Sequence, residues 1–375
     1  FVPGSQVGNA NQATLLGWLA MIASTVSLFM PPLVGHLSDR TAGPFGRRRP
    51  YIFVGGLLQV GSAFYLALAD TMLLFLVGLT LLHIGNNILT PAYQSLVPDQ
   101  VSEEQRGAAS GYVGAMTILG NVASLALAAW LLGGVNKHAP DLELIRSGVR
   151  VFYSITALVM VLCLLITLLN VREFPWLAAS KTPAREQAGL KQRFKQDWLA
   201  PWRNYNFTLV FFTRAFIMLG LAMFMTFVEY YFARVQHISN FVQVTAVVAV
   251  LALGGGVVSG IVSGIFSDRL PRRAPLVCAA TICMSLASLA FVVFPSTLAV
   301  WLWPLGILFG LGYGAYMSVD WALSIDVLPS LNEAGKDLGL WGASANIPAL
   351  IAPLLGSLII NLAARLGQIE LGYRL

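Results

Sequence analysis

Charge is what this sequence has least of: Asp, Glu, Lys and Arg make up 11% of its 375 residues. A water-soluble domain carries about 25%. The shortfall excludes a soluble protein with an enlarged core and makes lipid the solvent. Cysteine is scarce as well. Cys163, Cys278 and Cys283 all fall in apolar runs, which suits reduced thiols better than a disulfide or a metal site. There is no His/Cys ligand cluster, no Gly-Lys phosphate loop and no Ser/His/Asp spacing, so neither a catalytic set nor a metal is expected. The strict alternation of an outer-membrane barrel is missing. Phe1 to Gln12 lacks the basic start of a cleavable signal peptide.

What is abundant is apolar sequence. Hydrophobic residues reach 57%, and the mean hydropathy is +0.73. Ten runs are long enough to cross about 30 Å of hydrocarbon as helices. They lie at roughly 14–38, 51–69, 71–96, 107–133, 149–171, 206–233, 240–267, 274–294, 298–326 and 337–363. Lipid-exposed backbone must satisfy its hydrogen bonds within each segment, so the expected class is all-α, multi-pass. The charged, proline-containing stretch 172–205 reads as a linker between an N-terminal bundle, 1–171, and a C-terminal bundle, 206–375.

The net charge of +6 is distributed as topogenic charge is. Loops that share a side with 39–50 hold sixteen of the 23 Lys and Arg, and the opposite loops hold six. The positive-inside rule therefore makes the 39–50 loop and the linker cytoplasmic. This pattern does not point to nucleic acid. The expected partners are the bilayer and a small-molecule solute, with the protein a monomer in the plasma membrane.

An internal repeat is also present. Gly35-His-Leu-Ser-Asp39-Arg40 returns as Gly264-Ile-Phe-Ser-Asp268-Arg269, each copy followed by arginines. At nearly the same offset, Asp99 matches Asp326 and Gly111-Tyr-Val-Gly-Ala115 matches Gly339-Leu-Trp-Gly-Ala343. Two halves of like topology follow, related by an axis along the membrane normal.

Several motifs resemble those of a known family. Gly35-x-x-x-Asp39-Arg40 followed by Gly46-Arg47-Arg48-Arg49-Pro50 resembles the loop between helices 2 and 3 of the major facilitator superfamily. Pro91-Ala-Tyr-Gln-Ser-Leu-Val-Pro-Asp99 with Gln105-Arg106-Gly107 is similar to its sucrose-transporter and glycoside–pentoside–hexuronide symporter branch. So is Gly312-Tyr-Gly-Ala-Tyr316…Asp320…Asp326. The resemblance implies the major facilitator fold, two pseudo-symmetric bundles, with the ten spans matching helices 2–11 of the usual twelve. Helix 1 would be represented by a stub near Phe1-Val-Pro, and the sequence stops about where helix 12 should begin. A portion of a twelve-span protein is expected, with a natural ten-span chain as the alternative.

The resemblance also implies solute transport by alternating access, most simply proton-coupled symport of a sugar or glycoside. Sodium is the less favoured coupling ion, because the first and third spans carry no intramembrane acid. Proton-coupled export of a drug-like or metabolite solute is the alternative, and a non-transporting scaffold or receptor a distant one.

Three sets of residues carry these expectations. Gly35, Asp39, Arg40, Arg47, Arg48, Arg49 and Asp99, with Gly264, Asp268 and Arg269 as the second copy, form a conformational latch. In it Asp39 accepts hydrogen bonds at a helix N-terminus, which the resemblance places in the last span. A purely topogenic basic loop is the plainer reading. His83, Asn86 or Asn87, Thr90 and Gln94 form a polar stripe on the third span, suited to sugar hydroxyls or to interhelical bonding. Arg214 lies roughly 12 Å from the cytoplasmic side of its span and Asp320 roughly 9 Å. Either charge alone would be costly there, so they are expected to pair, as a fixed structural contact or as one that opens with protonation or solute. Tyr313 and Tyr316, on the face of Asp320, serve as a sugar platform or as core packing.

Overall fold

The computed structural model describes residues 9–132, 142–171, 173, 198–235, 241–270, 272–293 and 298–366. Ten long helices run through them: α1 Asn9–Arg40, α2 Arg49–Ala67, α3 Met72–Gln94, α4 Arg106–Leu132, α5 Leu142–Asn170, α6 Tyr205–Arg234, α7 Phe241–Ser267, α8 Ala274–Val293, α9 Leu298–Asp326 and α10 Ala334–Arg365. Each matches one expected span. Among the described residues, eight stretches are long and apolar enough to cross a membrane, and Ala274–Ala290 is a shorter apolar helix. Most of the linker, 172 and 174–197, lies outside the described residues.

Helix starts follow local chemistry. Thr71 accepts a bond from the Leu74 N–H ahead of α3, and Asn204 accepts from Asn206 and Phe207 ahead of α6. Prolines occur inside α1, α3, α9 and α10, a pattern that membrane helices tolerate when neighbours satisfy the freed carbonyls. Past Pro91, Ser95 closes the helix end twice over, its N–H at 3.2 Å and its hydroxyl at 2.6 Å both donating to the Pro91 carbonyl.

The chain forms two compact units. One holds 1–99, 123–201 and 329–343; the other holds 100–122, 202–328 and 344–375. Each unit thus includes the opening turns of a helix whose remainder belongs to the other. In the first unit α2 packs on α3 and α5, and α3 on α1. In the second α9 packs on α7 and α8.

Small residues set the closest approaches. Gly310 and Gly314 of α9 lie so near the carbonyls of Ala252 and Gly256 of α7 that a Cβ at either glycine would collide with backbone. Large apolar side chains such as Leu158, Ile166, Val262, Phe216 and Leu354 face outward, as a lipid-solvated surface requires.

The α7–α9 contact yields a first expected outcome. Gly314→Ala forces backbone apart in a packed interface and should destabilise the protein by about 1–3 kcal/mol. Thermal unfolding in detergent should show a lowered midpoint, whereas Gly61→Ala, with open space around it, should leave that midpoint unchanged.

Candidate functional site: helix caps, a buried ion pair and a polar stripe

The two repeated loop motifs make the same contact. Asp39, at the end of α1, spans the first turn of α10: Gly335 N–H donates to Oδ1 at 3.0 Å and Lys336 N–H to Oδ2 at 2.8 Å. Asp268, just past α7, spans the first turn of α4: Gly107 N–H donates to Oδ1 and Ala108 N–H to Oδ2, each at 2.7 Å. A carboxylate here satisfies two orphan donors and opposes the positive end of the helix dipole. The glycines of the motif explain themselves at this point. A Cβ on Gly35 would strike the Gly335 carbonyl, and one on Gly264 would crowd the Gly107 carbonyl, so only glycine lets each aspartate reach its helix.

Each cap is braced by one arginine and a second aspartate. Arg48 is fully buried; its Nη1 meets Asp39 at 2.6 Å and the Ser38 hydroxyl at 3.1 Å, and its Nε donates to Asp99 at 2.9 Å. Arg273 repeats this, with Nη2 on Asp268 at 3.1 Å, Nη1 on the Ser267 hydroxyl at 2.9 Å and Nε on Asp326 at 2.8 Å. Burial alone would lower the Arg48 pKa, but Asp39 and Asp99 outweigh it, so the guanidinium is held charged more firmly than in water. Arg47 adds a two-toothed contact to Asp99, at 3.2 and 2.5 Å, and reaches the Asn332 carbonyl at 3.3 Å.

The arginines adjacent to the aspartates in sequence are placed differently. Arg40 and Arg269 are exposed, and the arginine at the second cap is Arg273. Its signal was the Arg272-Arg273 pair, at about the repeat offset from Arg48. Arg49 donates to the Leu168 carbonyl at 2.7 Å, at the end of α5. In return Glu173, just beyond α5, accepts from the backbone N–H groups of Arg48 and Arg49 at 2.9 and 3.1 Å, capping α2. Gly46, at φ +83°, leaves room for this carboxylate. Glu173 carries no motif in sequence, and only the fold reveals its contact.

Within the second unit, Arg214 of α6 and Asp320 of α9 are in direct contact through Nη1 and Oδ2, both buried. Tyr316 is fully buried beside Asp320 and packs with Met218, Met284 and Phe309; Tyr313 is half-buried against the same cluster.

The α3 stripe divides. Asn87 is buried and turns to α1, its amide donating to the Ser27 hydroxyl at 3.0 Å and to the His83 carbonyl at 2.8 Å, as interhelical bonding would have it. Asn86 instead accepts from Gln59 of α2 at 3.0 Å and from Thr90 at 3.4 Å. His83 is exposed, and Thr90 and Gln94 are partly so.

The ion pair gives a second expected outcome. Arg214→Met leaves Asp320 buried without its partner and should cost about 3–5 kcal/mol of stability. The double variant Arg214→Met/Asp320→Leu should recover most of this, read as the unfolding midpoint in denaturant.

Comparison with known proteins completes the picture. The General alpha-glucoside permease of Schizosaccharomyces pombe is 27% identical over 198 residues, covering 48% of this chain and 34% of that protein. Sucrose transport protein SUT2 of Oryza sativa subsp. indica is 27% identical over 210 residues, covering 48% of this chain and 42% of that protein. The chain thus spans well under two thirds of these relatives. Among solved structures, the proton:xylose symporter XylE bound to 6-bromo-6-deoxy-D-glucose matches with a TM-score of 0.70 at 16% identity, covering 100% of this chain and 86% of that one. An MFS transporter, FucP, in the outward conformation gives 0.70 at 15%, covering 96% and 86%. At these identities the structures speak for the fold alone. The family profile matches residues 6–353, so this multi-pass membrane protein belongs to the Major Facilitator Superfamily of transporters.

Proposed function

We propose that this protein is a secondary transporter of a sugar or glycoside, working by proton-coupled symport and alternating access. The observation that carries the mechanism is the pair of reciprocal caps. A helix of the first repeat holds the first turn of α10, and one of the second repeat holds the first turn of α4. Each contact joins the two sequence halves, 1–171 and 206–375, on the side of the basic loops. Breaking both frees the halves to move on that side; remaking them closes it. The positive-inside count makes this side cytoplasmic, in a plasma-membrane protein with a cytoplasmic linker.

The sugar reading rests on what the relatives are named for, an alpha-glucoside permease and sucrose transporters, and on the chemistry of α3. With the Asn86 carbonyl taken by Gln59 and Thr90, its amide N–H groups are donors for a solute hydroxyl. His83, Thr90 and Gln94 extend the same face. Amides and hydroxyls in this setting read polyols well and apolar drugs poorly.

Arg214 and Asp320 are the proposed coupling pair. Protonating Asp320 removes the attraction that holds Arg214, so proton binding and release can change the α6–α9 contact without any cofactor.

Uptake of labelled sucrose and maltose by full-length protein in proteoliposomes, driven by an imposed pH gradient, tests both parts. Asp320→Asn should lose accumulation tenfold or more while retaining solute exchange at equal concentrations; unimpaired accumulation would remove Asp320 from coupling. Asn86→Leu should raise KM about five- to thirty-fold with little change in maximal rate, the loss of a hydroxyl partner worth about 1–2 kcal/mol. Failure of both sugars, with stabilisation by drug-like solutes, would favour export instead.

A further inference from the structure

The two caps are near-copies, yet one carries charges the other does not need. At the α4 start, Ala108 and Ala109 occupy the positions that Lys336 and Asp337 occupy at the α10 start. Asp268 caps α4 perfectly well over two alanines, so capping does not require the Lys–Asp pair.

Both extra groups are buried. Lys336 and Asp337 side chains are each 1% exposed, and the Lys336 ammonium is in direct contact with Glu333. It lies 3.5 Å from Asp337 Oδ1, too far for a good hydrogen bond, and that oxygen has no hydrogen-bond partner although it is shut off from solvent. Around it stand Glu333 in the preceding turn, Asp39 at the end of α1 and Arg48 in the loop, whose Nη1 lies against Gly335. Among the described residues, Arg47 and Arg48 bind Asp39 and Asp99 at the closed cap, Lys336 binds Glu333, and Glu173 accepts from the backbone of Arg48 and Arg49. Lys336 makes its short contact to Glu333 and only a long one to Asp337, whose buried Oδ1 therefore has no hydrogen-bond donor. A dry carboxylate whose oxygen finds no donor is costly to keep charged, and a proton on Asp337 removes that cost.

We propose that Asp337 is a proton-binding site: its carboxyl carries one proton while the Asp39 cap is closed and gives it to water when α10 leaves the cap. This rests on the cap acting as a latch. One proton is taken up on closing and one released on opening, on the basic-loop side, so low pH there favours the closed latch and rising pH loosens it. The site is separate from the Arg214–Asp320 pair, which belongs to the other compact unit.

The test uses full-length protein in which Cys163, Cys278 and Cys283 are serine and the buried Ala334 is cysteine, a reporter of α10 leaving the cap. Labelling by a membrane-impermeant maleimide is followed across pH and divided by the rate for the same protein carrying Asp337→Asn, which cancels the intrinsic pH dependence of the thiol. The expected ratio is near one at acid pH and rises by up to tenfold per pH unit where Asp337 titrates. A ratio flat across pH, or one that responds to sodium at fixed pH instead, overturns the proposal. Lys336→Met, which removes the nearest cation, should carry the rise on to higher pH, read as its labelling rate divided by that of the parent cysteine protein at each pH; a quotient flat across pH overturns the proposal as well, and this arm needs no Asp337→Asn protein. Asp39→Asn separates the two failures. If it fails to speed labelling, the latch itself is wrong; if it speeds labelling while the ratio stays flat, only the proton site is.

Discussion

Everything on the basic-loop side depends on one contact made twice: a carboxylate set across the first turn of a helix from the opposite repeat. The contact is strong for elementary reasons. The first N–H groups of a helix have no intrahelical acceptor, and the dipole concentrates positive potential there. A bidentate carboxylate answers both needs at once. It is also easily undone, because water can replace it as soon as the helix end is exposed. That combination, favourable when closed and cheap to solvate when open, is what the latch of the proposed transport cycle requires. The glycines at Gly35 and Gly264 exist to permit it, and the Ser38–Arg48–Asp99 and Ser267–Arg273–Asp326 networks hold the aspartates in place.

The Arg214–Asp320 pair obeys the opposite logic. It is buried within one unit, where an unmatched charge has no water to turn to. Its members are bound to each other by the cost of separation rather than by the gain of meeting. Such a pair is stable until something supplies a substitute, and a proton on the carboxyl is the smallest substitute available. The caps and the pair therefore differ in kind: the former sit at helix ends, the latter within a buried core.

Asn86 and Asn87 show why the α3 stripe was harder to read than the caps. The helical period placed both near one polar stripe, and neighbouring residues differ by about 100° around the axis. Which amide would turn to Ser27 and which to Gln59 depends on where α1 and α2 pack, and neither helix announces that in its own sequence. Tyr316 makes the same point: an aromatic beside an aspartate suits a sugar platform, yet packing against Met218 and Phe309 places it in the core. Glu173 was invisible altogether, because a single acid after an apolar run has no periodicity to betray it.

The sequence by itself determined the class, the ten long helices among the described residues and the two matching loop motifs. Those follow from apolar run length and a repeated spacing of Gly and Asp, both properties of the linear chain. It also nominated Asp39 and Asp268, since a repeated acid at a span end has few other uses. Tertiary structure alone decided which arginine braces each cap, which asparagine faces the stripe, and that Lys336 and Asp337 are sealed beneath the first cap and absent from the second. The reason is physical: burial and partnership are properties of neighbours, and in a helical membrane protein the neighbours come from helices far away in sequence.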